Sequence, residues 1–148
     1  MSTTSSKDFI DTMGEWFDKF PPLPKNWRDT LARIAPILAL IFGILGILVA
    51  IGGLGTLTFL SPLAVLGGAG GAVGMGIIST LIYLVASVML LAAYPGLKAN
   101  KYKGWKLLFW SEVVNLVGGV IGLHTIVSAI IGALIGFYIL FQIRSYFK

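Results

Sequence analysis

The sequence predicts an all-α protein: a bundle of four transmembrane helices preceded by an amphipathic helix. Three observations carry this. From Ile34 to Leu97 no side chain is ionisable apart from the phenols of Tyr83 and Tyr94. From Val113 to Ile143, His124 is the one group that titrates near neutral pH. The whole chain is 57% hydrophobic and 11% charged, against about 25% charged in soluble domains. A short soluble chain cannot hide that much apolar surface, whereas lipid removes the need to. A helix rises about 1.5 Å per residue and the bilayer core is about 30 Å thick, so some 20 residues cross it.

Residues 5–20, SSKDFIDTMGEWFDKF, carry Phe9, Ile10, Met13, Trp16, Phe17 and Phe20 at steps of three and four, with the acids elsewhere. That spacing predicts an amphipathic helix. Ser5 and Asp8 fit a capping-box-like start, and Pro21, Pro22 and Pro24 end it. The helix is expected in the headgroup region or on the chain's own bundle in preference to a foreign partner. No secretory h-region precedes Ile34. Residues 1–33 therefore read as a cytoplasmic helix and Pro-rich linker, and residues 34–148 as the transmembrane domain.

Asn26 or Asp29 is positioned to cap the next helix, with Trp27, Arg28 and Arg33 as interface anchors. The spans are expected at about 34–51, 73–93, 107–123 and 126–143. Between the first two, residues 52–76 are too apolar for an exposed loop and too Gly-rich for a secure helix. They read as a hydrophobic crossover on the far side, with a re-entrant segment at Thr56–Pro62 as the alternative. Tyr94-Pro95-Gly96 is expected to stop the second span. The loop that follows carries Lys98, Lys101, Lys103, Trp105 and Lys106 at headgroup level.

The charge of +5 is uneven. Acids and bases cancel over residues 1–33, so the surplus lies in the 98–106 loop and in Arg144 and Lys148. Cations confined to hydrophobic boundaries are the positive-inside pattern of membrane topology rather than a nucleic-acid patch. The N-terminus, the middle loop and the C-terminus are thereby expected in the cytoplasm.

Catalytic chemistry has little material. One His, no Cys and one acid beyond Asp29 give no nucleophile–base–acid set and no metal cluster. No cofactor is expected either, because the Gly67–Gly76 run lacks the Gly-Lys-Ser/Thr ending of a phosphate-binding loop. Four-residue spacing in Gly67–Gly71, Gly70–Gly74, Gly118–Gly122 and Gly132–Gly136 instead predicts close helix packing, within one chain or between copies.

Glu112, with Asn115 one turn further in, is the candidate proton or cation site. The alternative is an interfacial carboxylate reaching Lys103, Lys106, Arg28 or Arg33. His124 is a candidate pH-responsive group or a polar turn residue. Ser79, Tyr83 and Ser87 form a stripe that would line a cavity or bond the preceding turn.

Tyr94-Pro-Gly-Leu-Lys98 with Gly104-Trp-Lys-Leu-Leu-Phe109, and Pro24-Lys-Asn-Trp with Ile34 to Gly46, resemble small four-span bacterial membrane proteins of uncharacterised function. The resemblance implies a bacterial inner membrane and no particular activity. Two functional expectations follow from the residues. One is a non-enzymatic bundle that packs with itself or serves a membrane partner. The other is a small oligomeric transporter or channel using Glu112 and Asn115 at the inner membrane edge.

Overall fold

The computed structural model describes residues 2–122 and 126–148, and it is helical nearly throughout. The helices are α1 (Ser2–Phe17), α2 (Lys25–Leu66), α3 (Gly70–Lys98), α4 (Tyr102–Ile121) and α5 (Ile126–Ile143), with a final 3-10 turn at Arg144–Tyr146. Three segments are long and apolar enough to cross a membrane: Lys25–Leu66, Gly70–Lys98 and Ile126–Tyr146. The 20-residue α4 is more polar, since Lys103, Lys106, Glu112 and Asn115 all lie within it.

The largest departure from expectation is residues 52–76. There is neither a long crossover nor a re-entrant segment. α2 runs 42 residues to Leu66, about 63 Å of helix, and α3 restarts at Gly70. Pro62 is accommodated by a local substitution of donors. A residue with an N–H at 62 would bond the carbonyl of Thr58, and the Ser61 hydroxyl donates to that carbonyl instead, at 2.8 Å. Thr56 and Thr58 also return their hydroxyls to the backbone, at Gly52 (2.9 Å) and Leu54 (2.6 Å). A helix of this length and apolarity suits lipid, where no polar group can be left for water to satisfy and a continuous helix is favoured over a broken one.

The α2–α3 and α3–α4 turns close by one mechanism. At the α2–α3 turn Gly68 has φ 78°, and the N–H of Ala69 bonds Ala64 O while that of Gly68 bonds Val65 O. At the α3–α4 turn Asn100 has φ 52°, with Lys101 N–H on Gly96 O and Asn100 N–H on Leu97 O. These are Schellman caps, in which one left-handed residue satisfies the last carbonyls of a helix. The second shows why Tyr94-Pro95-Gly96 does not stop α3, which passes through Pro95 to Lys98. Other boundaries also shift. α1 starts at Ser2 rather than Ser5, and α2 starts at Lys25 after Pro24, without a side-chain cap from Asn26 or Asp29.

The helices form a row. α3 packs along both α2 and α4, and α4 along α5, whereas α2 and α5 meet over a short stretch. The solid core lies at one end, where Trp105, Phe109, Ile10 and Leu97 are fully buried. α1 lies on this end. Phe9 contacts Phe109 and Trp110, Phe17 stacks on Phe141 at 5.4 Å, and Asp11 pairs with Arg144 at 2.5 Å. The linker is held too, with Tyr138 donating to Pro21 O and Leu23 N–H donating to Gln142.

The same end gathers the charged segments. Tyr102 N–H donates to Lys148 O and Lys148 N–H to Asn100 O, each at 2.9 Å, and Tyr146 donates to Asp29. Away from it the surface is apolar, with Phe42, Leu48, Val49, Ile51, Phe59 and Leu66 all more than half exposed. Only 11% of the apolar window of α3 and 28% of that of α2 are buried, so the outward faces suit lipid.

Candidate functional site

Small residues set where the site can form. On α2 the buried positions are Ala32, Ala35, Ala39, Gly43, Gly46 and Ala50, one stripe at steps of three and four. It admits α3 so closely that a Cβ at Gly43 would lie 3.0 Å from Leu91 N, and one at Gly46 would collide with the Ser87 hydroxyl. At the other edge of α3 the contact is tighter still, for a Cβ on Gly104 would strike the backbone of Gly96 and Leu97. With α3 clamped on both sides, α2 and α5 are held apart at the ends of the row.

Two cavities fill that gap. The first, of about 350 Å³, lies near the charged end between Leu31–Phe42 of α2 and Gly136–Ile143 of α5, floored by α3 and α4. Most of its lining is aliphatic. The second, of about 470 Å³, lies further along and is more hydroxylated, with Ser79, Thr80 and Ser128 in its wall. Three residues line both: Tyr83, Glu112 and Asn115. These volumes fall in the ~300–1,000 Å³ range of small-molecule sites. Glu112 thus sits at the junction of two ligand-sized spaces.

Its packing explains its position. Gly136 of α5 faces the carboxylate so closely that a Cβ there would lie 2.7 Å from Glu112 Oε1, so a larger residue would displace the acid. The expected partners are elsewhere. Lys106 Nζ lies 3.4 Å from Ser6 Oγ, and Arg144–Asp11 is the one ion pair among the described residues. The interfacial-bridge alternative for Glu112 is therefore not the observed geometry. Among the described residues the Glu112 carboxylate has neither an ion-pair nor a hydrogen-bond partner.

Ser79, Tyr83 and Ser87 of the hydroxyl stripe on α3 line the cavities, and Ser87 bonds the preceding turn. Ser87 donates to Tyr83 O at 2.8 Å, Thr80 to Gly76 O at 2.7 Å, and Ser79 reaches across to Gly118 O at 2.9 Å. Their protons are spent on backbone while their oxygens remain along the cavity walls. No group of three metal-ligating side chains occurs among the described residues.

The glycines divide. Gly118 meets Ile82 at 3.0 Å, Gly136 meets Glu112, and Gly67 and Gly70 pack within their own turn. Gly71, Gly74 and Gly132 face open space, so their spacing does no packing work inside this chain. Gly122 follows α4 as its cap, and His124 lies outside the described residues. Among the anchors, Trp27 is exposed and Lys98 lies 5.9 Å over Tyr94. Trp105 is different. It is fully buried, stacks on Tyr102 and Phe109, and donates its indole N–H to Leu140 O at 2.8 Å. It is a core residue, not a headgroup anchor. Arg144 lies 5.3 Å over its ring.

Comparison with known proteins finds no matching family model, curated protein or solved structure.

Proposed function

We propose that this chain is a four-span integral membrane protein, set in a bacterial inner membrane with its charged end in the cytoplasm, that passes protons or cations along the seam between α2 and α5. One observation carries the reading: Glu112, an acid without a partner among the described residues, stands where two cavities meet. An isolated charge in a membrane interior is costly and is retained where ions or protons are handled. The pathway lies within one chain, because its walls come from α2, α3, α4 and α5 together. Purified protein reconstituted in vesicles with an internal pH dye tests this. Flux down an imposed gradient that Glu112→Gln removes supports the reading, and equal flux in protein-free vesicles sinks it.

A second reading, a non-enzymatic bundle that packs with itself or with a membrane partner, draws on a separate observation. The open glycines Gly71 and Gly74 leave a face on which a neighbouring helix can approach closely. Crosslinking in native membranes that returns monomer alone counts against it.

A further inference from the structure

We infer that the ligand of the Glu112 site is an amphipathic organic cation, a protonated or quaternary amine carrying an aromatic or branched aliphatic group. This rests on the reading of Glu112 as a cation site and names what it takes. The first cavity presents two chemistries to one molecule. Glu112 and Asn115 stand at its inner wall, and Leu38, Phe42, Leu90 and Ile139 make up much of the rest. A hard metal ion needs six or more oxygen ligands. In the first cavity Glu112 is the one charged oxygen ligand, beside the neutral oxygens of Asn115, Tyr83, Ser87 and Ser111, against a wall that is mostly aliphatic. A single carboxylate in an apolar chamber suits instead a cation that brings its own apolar surface. Its charge then meets Glu112 and its body lies against the aliphatic wall, to which Tyr83 and Phe42 add aromatic lining.

The route in has the same character. The cavity lies at the seam where α2 and α5 meet only briefly, and Leu38 and Phe42 at that seam are exposed. An amphipathic cation concentrates at the bilayer surface, so it reaches this seam sideways from lipid. Neither α2 nor α5 places a titratable group in either cavity, and α3 contributes the Tyr83 phenol alone. Protonation of Glu112 therefore removes the only anion facing the ligand among the described residues.

The test uses the full chain in detergent and in vesicles. Benzyltrimethylammonium binding is measured calorimetrically beside its neutral isostere, 2,2-dimethylpropylbenzene. The cation is expected to bind, to bind more weakly as pH falls, and to lose about tenfold or more in affinity with Glu112→Gln, as when a desolvated charge loses its counter-charge. Leu38→Trp, at the exposed mouth, is expected to abolish binding while leaving the helical content unchanged by far-UV circular dichroism, and undiminished binding in this variant counts against the site. Equal binding of the neutral isostere, or an unchanged affinity in Glu112→Gln, overturns the inference. So does full displacement of the cation by sodium ions at constant ionic strength. Glu112-dependent proton flux without organic-cation binding would overturn this inference and leave the transport reading standing. Glu112-dependent binding without any flux would remove transport and leave the ligand class.

Discussion

Adding one methyl group at Gly104 should unsettle the bundle, while the same addition at Gly132 should not. At Gly104 the new Cβ would meet Gly96 and Leu97 main-chain atoms, which cannot rotate away as a side chain can. Overpacking a close-fitted interior costs about 1–3 kcal/mol and occasionally more. Against this, Ala gains about 1 kcal/mol over Gly in a helix interior. Backbone against backbone sits at the upper end of the first range, so Gly104→Ala should lose about 2 kcal/mol net. At Gly132 nothing lies within 4 Å, so only the helix-propensity gain remains, and Gly132→Ala should be neutral or up to about 1 kcal/mol more stable. Reversible unfolding by SDS titration in mixed micelles, followed by tryptophan fluorescence, measures both. Comparable losses at the two sites would refute the reasoning, since Gly132 lines the open second cavity.

Trp105→Phe should cost about 1–2 kcal/mol, because Leu140 O loses a donor and the buried ring shrinks; the same titration reads this. Arg144→Gln should cost more than Asp11→Asn, since the exposed pair itself contributes about 1 kcal/mol or less while Arg144 also covers the rings of Tyr102 and Trp105. A larger loss for Asp11→Asn would contradict the stacking contribution. Gly136→Val should remove Glu112-dependent flux at nearly unchanged stability by pushing the carboxylate from the cavity junction. Retained flux would place the pathway elsewhere. The absence of cysteine makes single-cysteine labelling clean: Lys101→Cys should react with a membrane-impermeant maleimide from the cytoplasmic side only, and Ala69→Cys from the opposite side only. The reverse pattern would invert the proposed topology.

The amphipathic helix was legible because six apolar residues recur at helical spacing with three prolines after them, and the structure places that face on α4 and α5. Glu112 was legible as an anomaly, an acid within apolar text. Its surroundings were not, because the cavity walls come from other helices, with α2 residues between Leu31 and Gly53 and α5 residues between Ser128 and Ile143 brought to it only by the fold. The continuity of α2 was hidden by applying aqueous helix propensities to Gly52–Gly76, where lipid changes the alternative available to each N–H and carbonyl. The α2 stripe was present in the sequence as Ala32, Ala39 and Gly46, seven apart, and Ala35, Gly43 and Ala50 beside them. A Gly-xxx-Gly pattern does not capture it, since four of its six positions are alanine. Trp105 was misplaced for a related reason: beside lysines it looks like a headgroup residue, and only the fold shows Leu140 O waiting for its N–H.

The α2–α3 hairpin stands taller than its neighbours. From the contact of Ser79 with Gly118, α3 continues nine residues to Gly70 while α4 continues three to Ile121, a difference of roughly 9 Å. A flat bilayer cannot match both heights. Lipid beside α2 and α3 would have to stretch, or the whole molecule lean, at a cost of fractions of a kcal/mol per ångström of mismatch. In the proposed membrane setting this step in height would make the protein a wedge, favoured where bilayer thickness changes.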